Sequence, residues 1–189
     1  MPRRTATRAL LAVAISVSPA ACASPEDDAG APATTSAAGS STPSAPACED
    51  RPATAEPDAG VSTDLAEKPE VPATDAAPPC GLVISDVVVG TGAEAVPGTT
   101  VDVKYVGAFY ETGEEFDSSW SRGTDETLPV PLGAGRVIPG FEQGLTGMQV
   151  GGRRVVTIPS ELGYGPQGTG PIPGGATLVF VMDLVEVGP

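Results

Sequence analysis

The residues that this chain lacks limit the chemistry it can perform. None of its 189 residues is histidine, which excludes Ser-His-Asp and Cys-His nucleophilic machinery and also histidine-based metal sites. The carboxylates of the C-terminal part are scattered without metal-ligand spacing. No glycine-rich loop carries the Lys-Ser/Thr pair of a phosphate-binding loop. The sequence therefore predicts neither a metal site nor a cofactor.

The C-terminal part is instead rich in aromatic and aliphatic residues close to predicted turns. A cleft lined by such side chains suits an apolar ligand that a few polar groups hold in place. The alternative for Val137, Phe180 and Tyr105 is that they are core residues. The full set is Tyr105, Phe116, Val137, Ile138, Phe141, Tyr164, Ile172 and Phe180.

One short helix, predicted over residues 137–150, has to position the middle of this set. Pro139 suits the first helical position, and Phe141, Leu145 and Met148 form an apolar stripe at helical spacing. Three glycines within the stretch weaken the helix by about 1 kcal/mol each relative to alanine. Such a helix needs a sheet to pack against.

The surrounding segments alternate as strands do. Strands are predicted over residues 82–89, 99–110, 115–119, 128–132, 153–158 and 177–187. No segment is suited to a crossover helix, so the sheet should be mostly antiparallel. Residues 81–189 are therefore predicted to form an α+β domain, a five- to six-stranded antiparallel sheet wrapped around one short helix. Trp120 and Tyr110 are expected at its periphery, and Arg153 and Arg154 as solvated strand residues.

The N-terminus reads as an export signal. Residues 1–21 combine three arginines, a short apolar run and small residues, which is typical of a signal peptide. Cys22 follows small residues and resembles the lipidated cysteine of a bacterial lipoprotein, although Pro19 departs from that pattern. We expect a lipoprotein on the outer face of the cell membrane; ordinary cleavage would instead release a soluble secreted protein.

Residues 22–80 have the composition of a disordered tether. They are rich in Ala, Pro, Ser, Thr and acidic residues and contain no aromatic residue, so they offer little apolar surface to bury. Export makes a disulfide between Cys48 and Cys80 possible, and two free thiols are the alternative.

The charge of the chain argues against one class of partner. Removal of residues 1–21, with three arginines and no acid, takes the net charge from −14 to −17. A nucleic-acid partner would require a basic surface. The acidity favours solubility and a monomer.

Five blocks, in this order, resemble the FKBP-type peptidyl-prolyl cis-trans isomerases. The resemblance covers about residues 82–187. The blocks are Val103-Lys-Tyr-Val-Gly, Gly113-Glu-Glu-Phe-Asp-Ser-Ser, Val137-Ile-Pro-Gly-Phe-Glu-Gln-Gly-Leu, Ile158-Pro-Ser-Glu-Leu-Gly-Tyr-Gly and Ala176-Thr-Leu-Val-Phe.

The resemblance implies which residues form a proline pocket. It assigns catalytic roles to Asp117, Tyr164 and Phe141, with Phe141 as the floor where the family often has Trp. The backbone N–H of Ile138 and the hydroxyl of Tyr164 would donate hydrogen bonds to the substrate. The other substrate-binding residues would be Tyr105, Phe116, Arg122, Leu128, Val137, Ile172 and Phe180.

The resemblance also implies an activity and its partners. The protein would isomerise prolyl bonds in exported polypeptides during their folding, and it would bind macrolides of the rapamycin type. The alternative is a non-catalytic chaperone or binding module that uses the same groove.

Single residues of the predicted pocket have alternatives or depart from the family pattern. Asp117 could instead cap a turn or pair with Arg122. Leu128 stands where an aromatic residue is frequent, and the loop after Gly165 is about one residue short.

Overall fold

The computed structural model describes residues 48–56 and 60–189. Six antiparallel strands form one sheet in the order β1-β5-β6-β2-β3, and β4 pairs with β2 beside β3. This architecture confirms the predicted fold. The strands are β1 (Val83–Val88), β2 (Thr100–Phe109), β3 (Glu115–Ser118), β4 (Leu128–Pro131), β5 (Arg153–Ile158) and β6 (Leu178–Gly188); the helix is α1 (Pro139–Leu145).

The core lies between one face of the sheet and α1. Phe141 and Leu145 on the helix are buried, as are Val156 and Ile158 on β5. The glycines of the helix permit this close approach. A Cβ atom at Gly144 would lie 2.7 Å from the Val156 Cγ2 atom. The residues that weaken the isolated helix therefore allow it to pack on the sheet.

The helix is shorter than the sequence predicted. It ends at Leu145, and the prediction of a helix to residue 150 was wrong. Gly147 adopts a left-handed φ of 79°, which turns the chain. Its N–H then donates to the Ala95 carbonyl, and the Ala95 N–H donates to the Met148 carbonyl. These bonds replace the last helical turn, while Met148 stays buried in the core.

The segment before β1 packs on the domain. Residues 48–56 and 60–80 were predicted to belong to a disordered tether over residues 22–80, and the structure contradicts this for the described part. The Ala55 N–H donates to the Ile84 carbonyl, and the Ile84 N–H donates to the Ala53 carbonyl, which covers the free edge of β1. Cys48 and Cys80 are joined by a disulfide, as hypothesised. We call residues 48–80 the extension.

A buried arginine explains how so polar an extension is held. Arg153 was predicted to be solvated, but its side chain has no exposed surface. It faces Asp183 across the β5–β6 pair and donates to both carboxylate oxygens, at 2.6 and 2.7 Å. It also donates to the carbonyls of Ser62, Asp64 and Glu67. The extension is thus held in place by its backbone carbonyls, which accept hydrogen bonds from the Arg153 guanidinium. The low apolar content of the extension gave no sign of this order.

Two other predictions are wrong. Tyr110 is buried rather than peripheral, and Arg51 of the extension donates to its hydroxyl. Arg154, predicted to be solvated, is largely covered and pairs with Asp86 at 2.6 Å.

Some predictions concern residues that the structure does not describe. The signal peptide over residues 1–21, Cys22 and residues 23–47 lie outside the described residues. Within residues 48–56 and 60–189, no helix has the length and apolarity needed to cross a membrane.

Candidate active site

A cavity of about 390 Å³ opens where the N-terminus of α1 meets β2, β3 and β6. Its volume is typical of small-ligand sites. Nine of the eleven residues predicted for the pocket line it. The lining consists of Tyr105, Phe116, Asp117, Leu128, Arg136, Val137, Ile138, Phe141, Tyr164 and Phe180.

Aromatic rings form the base and walls of the cavity. The Phe141 ring is almost fully buried and packs edge-on against Phe180, with 5.1 Å between centroids, and against Tyr105 at 5.7 Å. Phe116 meets Phe180 edge-on at 5.6 Å. Edge-to-face packing holds each ring in one orientation. The cavity therefore presents a preformed apolar surface.

One wall carries a charged network. The Tyr105 hydroxyl donates to Asp117 Oδ2 at 2.5 Å. Arg122 donates to Asp117 Oδ1 at 3.2 Å and to the Tyr105 hydroxyl at 3.1 Å. Asp117 thus both lines the cavity and pairs with Arg122. Arg122 itself does not line the cavity. It contacts the cavity residues Asp117 and Tyr105 and holds the Asp117 carboxylate in place.

Two hydrogen-bond donors at the cavity have no acceptor among the described residues. Ile138 precedes Pro139 and is extended, with φ −60° and ψ 146°, so it begins the helix without joining it. Its carbonyl accepts from the N–H groups of Phe141 and Glu142. Within the described residues, neither its own N–H nor the Tyr164 hydroxyl donates to a protein atom. Both donors are available to a bound peptide.

Burial favours the protonated form of two phenols. It is the main cause that raises the pKa of Tyr105 and of Tyr164 above the ordinary value of 10.0, and the Asp117 charge acts in the same direction on both. For Tyr105, the hydrogen bond from Arg122 acts against this rise in pKa. Both hydroxyls therefore remain hydrogen-bond donors at neutral pH.

We expect a flat pH profile as a result. Because the phenol pKa values are raised, both tyrosines stay neutral donors at every pH below about 10. The chain also has no histidine to titrate near neutral pH. The value of kcat/KM on a blocked prolyl peptide should therefore stay constant between about pH 6 and 9. It should fall only above about pH 10, as the phenols ionise. A loss of activity with a midpoint between those limits would show that another group titrates in the mechanism.

Besides Arg122, the structure removes a second predicted residue from the lining, and it adds one that was not predicted. Ile172 does not line the cavity; it is buried in the core, because its backbone exchanges two hydrogen bonds with Thr169 and the turn directs it inward. Arg136 lines the cavity and was not predicted. Its place directly before Val137 was the available signal.

A larger cavity, of about 910 Å³, lies between the extension and the loops after β2 and β5. None of the predicted substrate-binding residues lines it. The aromatic walls and free donors of the 390 Å³ cavity, rather than its size, distinguish it as the candidate site.

Solved structures with the same architecture identify the class of protein. The crystal structure of AtFKBP13 superposes with a TM-score of 0.52 and 38% identity, covering 58% of this chain and 94% of that one. That of FkpA from Escherichia coli gives a TM-score of 0.53 and 36% identity, covering 70% and 53%. The fold is that of the FKBP proteins.

Sequence comparison then defines the family. The pattern described as "FKBP-type peptidyl-prolyl cis-trans isomerase" matches residues 92–185. A probable FK506-binding protein of Corynebacterium glutamicum is 53% identical over 120 residues, covering 64% of this chain and 98% of that protein. An FK506-binding protein of Streptomyces anulatus is 53% identical over 123 residues, covering 64% and 98%. This chain belongs to the FKBP-type peptidyl-prolyl cis-trans isomerase family, which confirms the predicted resemblance.

Proposed function

We propose that the enzyme isomerises X-Pro bonds in exported polypeptides, with the proline ring seated on Phe141. The observation that carries the proposal is the aromatic cavity with two free donors at its edge. Phe116 and Phe180 would enclose the ring, and the Ile138 N–H and Tyr164 hydroxyl would bind backbone carbonyls of the substrate. The roles of these residues are assigned from their positions around the cavity.

Such a site lowers the rotation barrier without a nucleophile. The barrier exists because amide resonance keeps the peptide bond planar, and uncatalysed isomerisation takes tens to hundreds of seconds. Resonance separates charge across the amide, so an apolar cavity disfavours the planar form relative to the twisted one. The donors would bind the twisted amide better than either planar isomer. Asp117 would act electrostatically near the twisted carbonyl.

A cis-prolyl tetrapeptide assay tests the proposal. The full mature chain should accelerate cis-to-trans exchange far above the uncatalysed rate. Folded protein without any acceleration would contradict the proposal. Peptide binding without acceleration would favour the alternative of a non-catalytic chaperone that uses the same groove.

Two substitutions test the polar groups of the site. Tyr164→Phe removes one neutral hydrogen bond and should lower kcat/KM by about two- to tenfold. Asp117→Ala removes the acceptor of both Tyr105 and Arg122 and should lower it by about tenfold. Both side chains are partly exposed, so thermal unfolding should change little. Wild-type rates in both variants would remove these residues from the mechanism.

The cavity is also proposed to bind macrolides. The two relatives above are named for binding FK506, and the same aromatic surface would accept an apolar macrolide of the FK506 or rapamycin type. Titration with FK506 should inhibit peptide exchange in proportion to the sites occupied. Inhibition that needs far more than one equivalent of a tightly bound drug would place binding elsewhere.

The enzyme is proposed to work as a monomer outside the cytoplasm, attached by a lipid on Cys22. The predicted signal over residues 1–21 and the Cys48–Cys80 disulfide support export. Mass spectrometry of the mature N-terminus distinguishes a diacylated Cys22 from a soluble form cleaved nearby. An N-terminus that retains residues 1–21 would contradict export.

A further inference from the structure

Arg136 differs from the other basic residues of the described part of the chain. The six others each donate to a carboxylate, carbonyl or hydroxyl of the protein. Arg136 is exposed, lines the cavity, and makes no hydrogen bond or ion pair with a described residue. Its guanidinium is therefore available to a ligand.

The charges around the cavity leave Arg136 uncompensated. Among the described residues that line the cavity, Asp117 is the one carboxylate, and Arg122 already pairs with it. Arg136 therefore gives the mouth of the cavity a local excess of one positive charge, in a chain whose net charge is −14. A guanidinium presents a planar fork of N–H donors that matches a carboxylate.

Arg136 is close in sequence to the residue that is proposed to bind the substrate backbone. It lies two residues before Ile138, whose N–H is the proposed donor to a substrate carbonyl. A peptide bound along this edge places successive side chains about 3.3 Å apart along its axis. A side chain adjacent to the proline would thus lie within reach of the guanidinium.

We infer that Arg136 is a specificity-determining residue that favours substrates with Asp or Glu next to the isomerising proline. This inference rests on the proposed function and adds a substrate preference to it. Because Arg136 is exposed, its ion pair with the substrate contributes what surface pairs do, about two- to fivefold in kcat/KM.

Blocked peptides that carry Glu, Gln or Lys immediately before or after a single proline provide the test. The rate of cis–trans exchange is measured by NMR without a coupled protease. The salt concentration is about 0.1 M, at which ion pairs in contact still act while the long-range repulsion between the acidic protein and an acidic peptide is screened. For the wild type, the Glu/Gln ratio of kcat/KM should be about two to five at one of the two positions. About 1 M salt should reduce that ratio toward one.

Substitutions then assign the preference to Arg136. Arg136→Ala should bring the Glu/Gln ratio to about one, and Arg136→Glu should favour the Lys peptide instead. Lys68→Ala is the matched control: it changes the net charge equally, lies on the extension, pairs with Glu115 and should keep the wild-type ratio. Thermal unfolding confirms that each variant is folded.

Distinct outcomes separate this inference from the proposed function. Turnover of the Gln peptide with a Glu/Gln ratio of one or less at both positions overturns the role of Arg136 and leaves the isomerase intact. An unchanged ratio in Arg136→Ala overturns it as well. If no peptide is turned over, the proposed function fails. In that case the affinities of the protein for the Glu and Gln peptides still test the preference, and equal affinities overturn it.

Discussion

Arg153→Met is expected to lower the free energy of unfolding by about 3–5 kcal/mol, because it leaves Asp183 buried without its partner. The change also removes the donors to three carbonyls of the extension. Chemical denaturation measures the loss. Hydrogen exchange over residues 60–68 should accelerate more than exchange in β2.

Two variants control for this result. Arg154→Met removes a neighbouring ion pair whose Asp86 partner is partly exposed, and it should cost less than about 2 kcal/mol. Arg153→Met combined with Asp183→Leu leaves no unpaired charge and should recover part of the stability, while the extension stays loosened. An Arg153→Met variant as stable as Arg154→Met would contradict the role assigned to the buried pair.

Phe141→Ala is expected to lower kcat/KM by about 10- to 100-fold, because the proline ring loses an apolar contact worth about 1.5–3 kcal/mol. Since Phe141 is also core, the variant should lose about 3–5 kcal/mol of stability. The peptide exchange assay is therefore run at a temperature where the variant is still folded.

The activity loss has to be separated from the stability loss. Leu145→Ala is the matched control, since Leu145 is fully buried one turn further along α1 and does not line the cavity. It should cost about 2–5 kcal/mol of stability and leave kcat/KM near wild type. Phe141→Trp keeps an aromatic floor and should retain most of the activity. Equal losses of kcat/KM in Phe141→Ala and Leu145→Ala would show that Phe141 acts only through stability.

The strands and most of the cavity were predictable because their signals are local. Alternation along β2 identified the strand, and Pro139 marked the first turn of α1. The blocks that carry Phe116, Asp117 and Tyr164 keep their order and spacing, and in the structure the three residues line one cavity.

What the sequence did not reveal depends on partners that are distant along the chain. Arg153 lies 30 residues from Asp183 and 91 residues from Ser62, so nothing in its neighbourhood indicated burial. The extension has too few apolar residues to signal order, because its anchors are a disulfide and its own carbonyls. Ile172 had the right residue type for the pocket, but a two-bond turn with Thr169 directs it to the core.

The central claim is that prolyl bonds rotate in the cavity built on Phe141. NMR exchange of a blocked prolyl peptide, recorded with the side-chain resonances of Tyr105, Phe141 and Phe180, tests it most directly. We expect accelerated cis–trans exchange, peptide-induced shifts of these three rings, and the loss of both when FK506 fills the cavity. Exchange at the uncatalysed rate, or accelerated exchange that persists with the cavity filled, would contradict it.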